Sequence, residues 1–365
     1  MKYNVIITIN DESNYGNRLQ NYALLSLLEK YGKTTTALCE AHLNSHIKDL
    51  FFFLLVILRK IKRIIKGSFG YCAKEVRLRD RKNRLFTEKY IPADIFLITP
   101  LRGIKPGINQ VSKVIIGSDQ VWNSSGMSEA GIALRLGSFV HGCVPIISYA
   151  ASFGISNVNQ ESEIVFRRYL PLLKSISVRE DRGAELVKKM TGRDAAVVLD
   201  PTLMLTAHKW LEITENFIPD DDRYVLTYFL GLPSTEQEND IQSYAKKHGC
   251  KVRRILDLRD KETYVAGPQD FVELFSKAQY VFTDSYHACC FSILFHKQFT
   301  VFNRTGMTGK SSMNSRMETL FRLFDLDSVM IDSGLAPEIN YRKVDQLLEQ
   351  HRKESQNWLD KAMEE

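Results

Sequence analysis

One histidine stands where a proton could be delivered to a bound ligand. Residues 280–304, YVFTDSYHACCFSILFHKQFTVFNR, read as a buried strand, a polar turn of Asp284, Ser285 and Tyr286, a helix opening at His287, and a second apolar strand. In open α/β sheets, ligands lie beyond the carboxyl ends of strands, and the following helix offers unpaired N–H groups to an anion. An imidazole at that point can donate a proton to whatever is held there. The plainer role is capping or packing, with Asp284 and Ser285 as ordinary helix-entry residues.

Other polar groups fall at comparable places. Strands expected at 114–116, 146–149, 175–178 and 196–199 end in Gly117-Ser118-Asp119-Gln120-Val121-Trp122-Asn123, in Ala150-Ala151-Ser152-Phe153-Gly154, in Arg179-Glu180-Asp181 and in Asp200-Pro201-Thr202. In a parallel sheet such ends share one rim. Asp119 can orient a hydroxyl or act as a base, or it can be a turn residue beneath Trp122. Trp122 can stack on a sugar ring or pack in the core. At the N-terminus a strand (3–9) runs through NDESNYGN into an amphipathic helix (18–31), where Gly16 can take a positive φ and Asn17 can cap. Asn17 and Gln20 can also hydrogen-bond a substrate from the opposite wall of a cleft.

The elements carrying these residues imply two α/β domains. At 365 residues, 44% hydrophobic and 25% charged, the chain can bury two cores. The irregular stretch 201–222 separates two runs of strand–helix alternation. The expected division is an N-terminal α/β domain (1–205) with a basic amphipathic insertion near 45–90, a C-terminal α/β domain (206–330) and a helical segment (331–365).

The net charge of +6 is local. Residues 59–89 carry 12 Lys or Arg against 3 Asp or Glu. Nine apolar residues (50–58) precede RKIKRIIK, too few to span a membrane. As a helix, residues 50–66 would present an apolar face and a basic one, the pattern of an interfacial helix on anionic lipid or of a core helix with a solvated basic side. No nucleic-acid-binding module accompanies the charge. Six scattered cysteines without zinc spacing, and the lack of an export signal, lead to the expectation of a cytoplasmic protein without a metal. Residues 304–311 nearly form a P-loop, but Arg304 stands where its first Gly belongs.

Taken in order, GSDQVWN (117–123), SYAASFG (148–154), SVRED (177–181), VLDPTLML (198–205), TDSYH with FSILF (283–295) and NSRMETLF (314–321) resemble the polysaccharide pyruvyl transferase family, and NYGNRLQNYAL (14–24) is similar to its opening loop and helix. The resemblance covers most of the chain outside 41–99. It implies two Rossmann-like domains facing a cleft, GT-B-like, and transfer of a pyruvyl group from phosphoenolpyruvate to two hydroxyls of a sugar in a cell-surface polysaccharide or its lipid-linked precursor. Phosphoenolpyruvate is then the donor substrate and no cofactor is expected. His287 becomes the general acid, and Arg179, with Arg316 and Arg18 behind it, becomes the source of positive charge. Asp119, Ser118, Asn17, Gln20, Trp122, Asp284 and Ser285 are further candidate contacts. Ser285 and Ala288 stand where the family often has Arg and Gly. Peripheral association with the inner face of a membrane is expected if residues 50–66 bind lipid. A sugar-nucleotide glycosyltransferase and a glycan-binding protein without catalysis remain the alternatives.

Overall fold

The fold is taken from a computed structural model, which describes residues 2–11, 13–39, 73–92, 96–99, 103–105, 107–140, 142–219, 222–303 and 314–365. The expected segment 50–66 and the Gly-rich loop 304–311 lie outside the described residues. Among the described residues, no helix is long and apolar enough to cross a membrane.

The first sheet has six parallel strands: β1 (Tyr3–Ile7), β2 (Thr34–Thr36), β6 (Val111–Ile116), β7 (Ile146–Ala151), β8 (Ser175–Val178) and β9 (Ala196–Val197), in the order β2-β1-β6-β7-β8-β9. A small three-stranded sheet of β3 (Leu38–Cys39), β4 (Leu97–Thr99) and β5 (Gly103–Lys105) adjoins it in the chain. The second large sheet has five parallel strands: β10 (Tyr224–Tyr228), β11 (Lys251–Ile255), β12 (Tyr280–Thr283), β13 (Phe299–Phe302) and β14 (Met330–Ile331), in the order β11-β10-β12-β13-β14. The inner strands β10, β12 and β13 are mostly apolar and buried throughout, because helices cover both faces. Two parallel α/β sheets meeting across a shared site is the architecture expected from the sequence.

Strand order determines where ligands can enter. Each large sheet reverses direction once, between β1 and β6 in the first and between β10 and β12 in the second. At such a reversal the flanking helices diverge to opposite faces and leave a crevice beyond the carboxyl ends. Beyond β1 and β6 come Thr8 and Ser118-Asp119. Beyond β10 and β12 come the 229–234 loop and the turn into His287.

Helix α1 (Tyr15–Leu28) joins the two units. An amphipathic helix with a solvent face is the sequence expectation, but its first seven residues are all buried. The Tyr15 hydroxyl donates to the Ala266 carbonyl at 2.7 Å, and its ring stacks on Phe271 at 5.2 Å. One hydrophobic core therefore runs from Ile6 and Leu19 through Trp210 and Tyr224 to Phe291. A shared apolar core of this kind holds the units together more firmly than a polar interdomain surface.

Two later helices also cross over. Helix α2 (Ala73–Tyr90), part of the basic stretch, packs on the second unit, with Lys82 paired to Asp270 at 2.6 Å and Arg79 lying over the Tyr264 ring. The long C-terminal helix (Tyr341–Glu364) returns to the first sheet. There Lys113 donates to the carbonyls of Ala362 and Met363, and Lys30 pairs with Asp360.

Candidate functional site

The two crevices face each other, and His287 lies where they meet. It is the second residue of helix α11 (Tyr286–Leu294), which Ser285 precedes without a side-chain cap bond. His287 is 7% exposed, and its Nε2 has no hydrogen-bond partner. The nearest carboxylate oxygen is Asp200 Oδ2, at 3.8 Å.

Gly16, in the first turn of α1, closes the other edge of the imidazole. A Cβ built there would lie 2.1 Å from His287 Nδ1 and 2.5 Å from Cγ. The glycine is therefore required by a close approach between the units, not by the positive φ that its loop position suggests. Nor does Asn17 cap this helix: Asn14 does, accepting from the Asn17 backbone N–H.

Beneath the imidazole lies a buried charge cluster. Arg179, at the end of β8, has no exposed side-chain surface. It donates to Asp200 Oδ2 at 2.7 Å and to Asp119 Oδ1 at 3.3 Å, with its plane over the Tyr286 ring. Burial disfavours its charge, but Asp200, Tyr286, Asp119 and Glu180 outweigh that and hold the guanidinium firmly protonated. Asp119, at φ 63°, also accepts from Asn17 Nδ2. Burial would raise its carboxyl, yet Arg179, His287, Arg316 and the Asn17 amide bring it down to about 2. So acidic a group is a poor base at neutral pH. Asp200 is held ionised against its burial by Arg179, by His287 and by the Thr202 N–H.

Arg316 differs from Arg179. It projects from helix α12 (Asn314–Phe324), is 7% exposed, and has no carboxylate in ion-pair range among the described residues. Its terminal nitrogens lie 2.8 Å from the Gln120 side-chain amide, the oxygen of which faces them, and its Nε has no partner. Burial and the neighbouring Arg179 push its pKa down to about 10. His287 is pushed in the same direction: burial lowers it, Asp200 and Asp119 only partly compensate, and the two arginines lower it further. The site thus holds two groups whose positive charge is under-supported. A bound anion would favour the charged form of both.

This arrangement gives a pH prediction. With a folded-state pKa below the ordinary 6.5, His287 binds its proton more weakly folded than unfolded. Its contribution is intact above 6.5 and is lost as pH falls from there through the depressed folded value. Thermal midpoints measured from pH 8 to 5 are expected to drop across that window, and His287→Gln to flatten the drop. A mutant profile parallel to wild type would contradict the depressed pKa.

Of the other sequence candidates, several serve the frame. Trp122 is 1% exposed against Phe153, its Nε1 donating to the Arg135 carbonyl, so no ring face is free for a sugar. Arg18 is 2% exposed and donates to the Ile9 carbonyl and the side-chain oxygens of Asn10 and Asn17, so its charge is directed into the loop behind the site. Gln20 donates to Thr8 Oγ1 and accepts from the Ser118 N–H, tying α1 to the β6 turn. Ser118 Oγ lies 3.1 Å from the Ala150 carbonyl and 3.2 Å from Asp200 Oδ2. The Ser285 N–H donates to Thr283 Oγ1. Asp284 turns away from His287 and accepts from the N–H groups of Leu230 and Gly231 at 2.7 and 2.9 Å.

Asp200, Glu180 and Gln120 belong to the cluster but were not among the candidates. Asp200 and Glu180 each end a strand, as the candidates do, and that position was the available signal. Glu180 Oε1 accepts from Ser152 Oγ and the Phe153 N–H, while its Oε2 has no partner. Among the described residues, no group of His, Cys, Asp and Glu could hold a metal ion.

A family model described as polysaccharide pyruvyl transferase matches residues 14–306. Among solved structures, the chain is similar to a UDP-GlcNAc 2-epimerase from Neisseria meningitidis (13% identity, 99% of this chain and 94% of that one, TM-score 0.46). It is also similar to the UDP-GlcNAc 2-epimerase of Methanocaldococcus jannaschii (14%, 96% and 92%, TM-score 0.46) and to an E. coli heptosyltransferase (11%, 96% and 99%, TM-score 0.39). No curated protein matches the sequence.

Proposed function

The chain belongs to the polysaccharide pyruvyl transferase family, and on that premise we propose that it transfers the pyruvyl group of phosphoenolpyruvate to two hydroxyls of a polysaccharide sugar or its lipid-linked precursor, closing a cyclic ketal. The observation that carries the reading is a buried Arg316 with no carboxylate in ion-pair range among the described residues and a His287 whose Nε2 has no hydrogen-bond partner, beside an Arg179 paired to two carboxylates.

Phosphoenolpyruvate brings a phosphate and a carboxylate on an enol carbon. Its anionic groups would pair with Arg316 and raise the pKa of His287, which then protonates C3. Positive charge develops at C2, near the carboxylates of Asp119 and Asp200. One sugar hydroxyl adds to C2, the C2–O bond to phosphate breaks, and the second hydroxyl closes the ring. Of the two hydroxyl protons, one replaces the proton given to C3 and one leaves on phosphate. Asp119, ionised and held by Arg179 and Asn17, is suited to orient an incoming hydroxyl.

A sugar-nucleotide donor fits less well. In the second sheet's crevice, the backbone N–H pair of Leu230 and Gly231, which could receive a phosphate, already holds the Asp284 carboxylate.

Millimolar phosphoenolpyruvate is expected to raise the thermal midpoint of wild type. Ligand at 100 times its dissociation constant adds about 2.7 kcal/mol. Arg316→Ala should abolish the shift, since the most available cation is gone. A shift that survives this change, or none in wild type, would contradict the donor assignment.

A further inference from the structure

A second cavity, of about 720 Å³, lies next to the cluster, between the start of helix α5 (Asp181–Thr191) in the first unit and α12 in the second. Its size falls in the roughly 300–1,000 Å³ range of small-molecule sites. All its described lining residues are polar or charged. Among the described lining residues, four carboxylates (Asp181, Glu185, Glu318, Asp327) outnumber two guanidiniums (Arg182, Arg322), which disfavours an anion. Fixed donors and acceptors of both kinds around a neutral ligand match the hydroxyls of a sugar.

The walls come from different units, and one bridge joins them. Asp181 accepts from Arg322 Nε and Nη2, both at 2.8 Å, and from Thr319 Oγ1, while its own N–H donates to Thr319 Oγ1 at 3.0 Å. In the first unit, Arg182 anchors the wall by donating to the Ser156 carbonyl and to Asn157 Oδ1. Two lining residues are chain neighbours of the reaction centre: Ser315 precedes Arg316, and Asp181 follows Glu180. Arg316 Nε and Glu180 Oε2, both on residues at most 7% exposed, are unpartnered. Polar demand is thus left open in the cluster whose chain neighbours line this cavity.

We propose that the cavity is a glycan subsite, holding a neutral sugar unit of the acceptor adjacent to the one that receives the pyruvyl group. The assignment rests on the pyruvyl transferase reading for its acceptor. It adds where the non-reacting part of that acceptor lies and that its grip draws on both units at once.

The test is retention of wild type, Arg182→Lys and Glu318→Ala on a printed array of neutral mono- and disaccharide glycosides, with and without 2 mM phosphoenolpyruvate, alongside the thermal shift given by phosphoenolpyruvate alone. Glu318 is exposed and has no ion pair among the described residues, so its removal should leave the fold unchanged. Wild type is expected to retain at least one glycan, and each variant to lose tenfold or more of that signal while keeping the full thermal shift. Equal retention by all three proteins, or no glycan held by wild type, overturns the subsite. Loss of glycan in both variants with no thermal shift in any protein would leave the subsite standing and remove the donor assignment instead.

Discussion

Replacing Gly16 by alanine is expected to cut turnover by about 100-fold or more in a protein that still folds. The added Cβ would sit 2.1 Å from His287 Nδ1, inside any real contact distance. Gly16 is helical and needs no unusual φ, so the cost is steric. Either the imidazole swings away or α1 retreats from the second unit, and a displacement of ~1 Å at a reacting group typically costs ~100-fold. Overpacking of this kind destabilises by about 1–3 kcal/mol, which a domain of ordinary stability survives. Turnover and thermal midpoint measured on one preparation separate the effects. Unaltered turnover would mean that the ring does not work from the position seen here.

The largest effect on stability is expected from Asp200→Asn. The Asp200 carboxylate is fully buried and forms the shorter of Arg179's two ion pairs, while also accepting from the Thr202 N–H through Oδ1. Neutralising it leaves Arg179 buried with only the 3.3 Å pair to Asp119. Breaking one side of a buried pair costs about 3–5 kcal/mol, because the remaining charge is uncompensated. For a chain of this length, that corresponds to a fall in the thermal midpoint of about 5 °C. Asp119→Asn should cost less, since its pair is longer and its side chain is 11% exposed. Asp200→Asn also removes the carboxylate nearest His287 Nε2, so the imidazole pKa should fall further and the basic limb of the activity profile, where the general acid loses its proton, should shift to lower pH. Equal destabilisation by the two changes would contradict the ranking of the pairs.

Much of the frame could be read from the chain because strand ends announce themselves. The apolar runs before Gly117, Ser152, Arg179 and Asp284 are short, β-rich and closed by polar residues, and these are the residues that reach the rim. What could not be read was which charges neutralise one another. Arg179 was the leading cation in the sequence, yet its two carboxylates come from strand ends 60 and 21 residues away in the chain. Arg316, farther down the chain and less prominent, keeps its charge available because it meets an amide instead. Gly16 shows the same limit: the loop around it suggests a turn, while its real constraint is a histidine more than 270 residues later. Trp122 could be read either as a sugar contact or as a core residue, and Arg18 as a ligand cation, because local pattern does not reveal how deeply a strand end is covered. The crossing of helix α2 and of the C-terminal helix onto the opposite units is likewise tertiary, set by pairs such as Lys82–Asp270 and by Lys113 at the helix end.

The central claim is that an anionic donor binds at Arg316 and charges His287. Calorimetric titration with phosphoenolpyruvate at pH 7.5, in two buffers of different ionisation enthalpy, measures binding and the protons taken up with it. The expected result is saturable binding with proton uptake approaching one in wild type, and binding without that uptake in His287→Gln. Binding with the same proton count in both proteins, or no binding by wild type, would contradict the account.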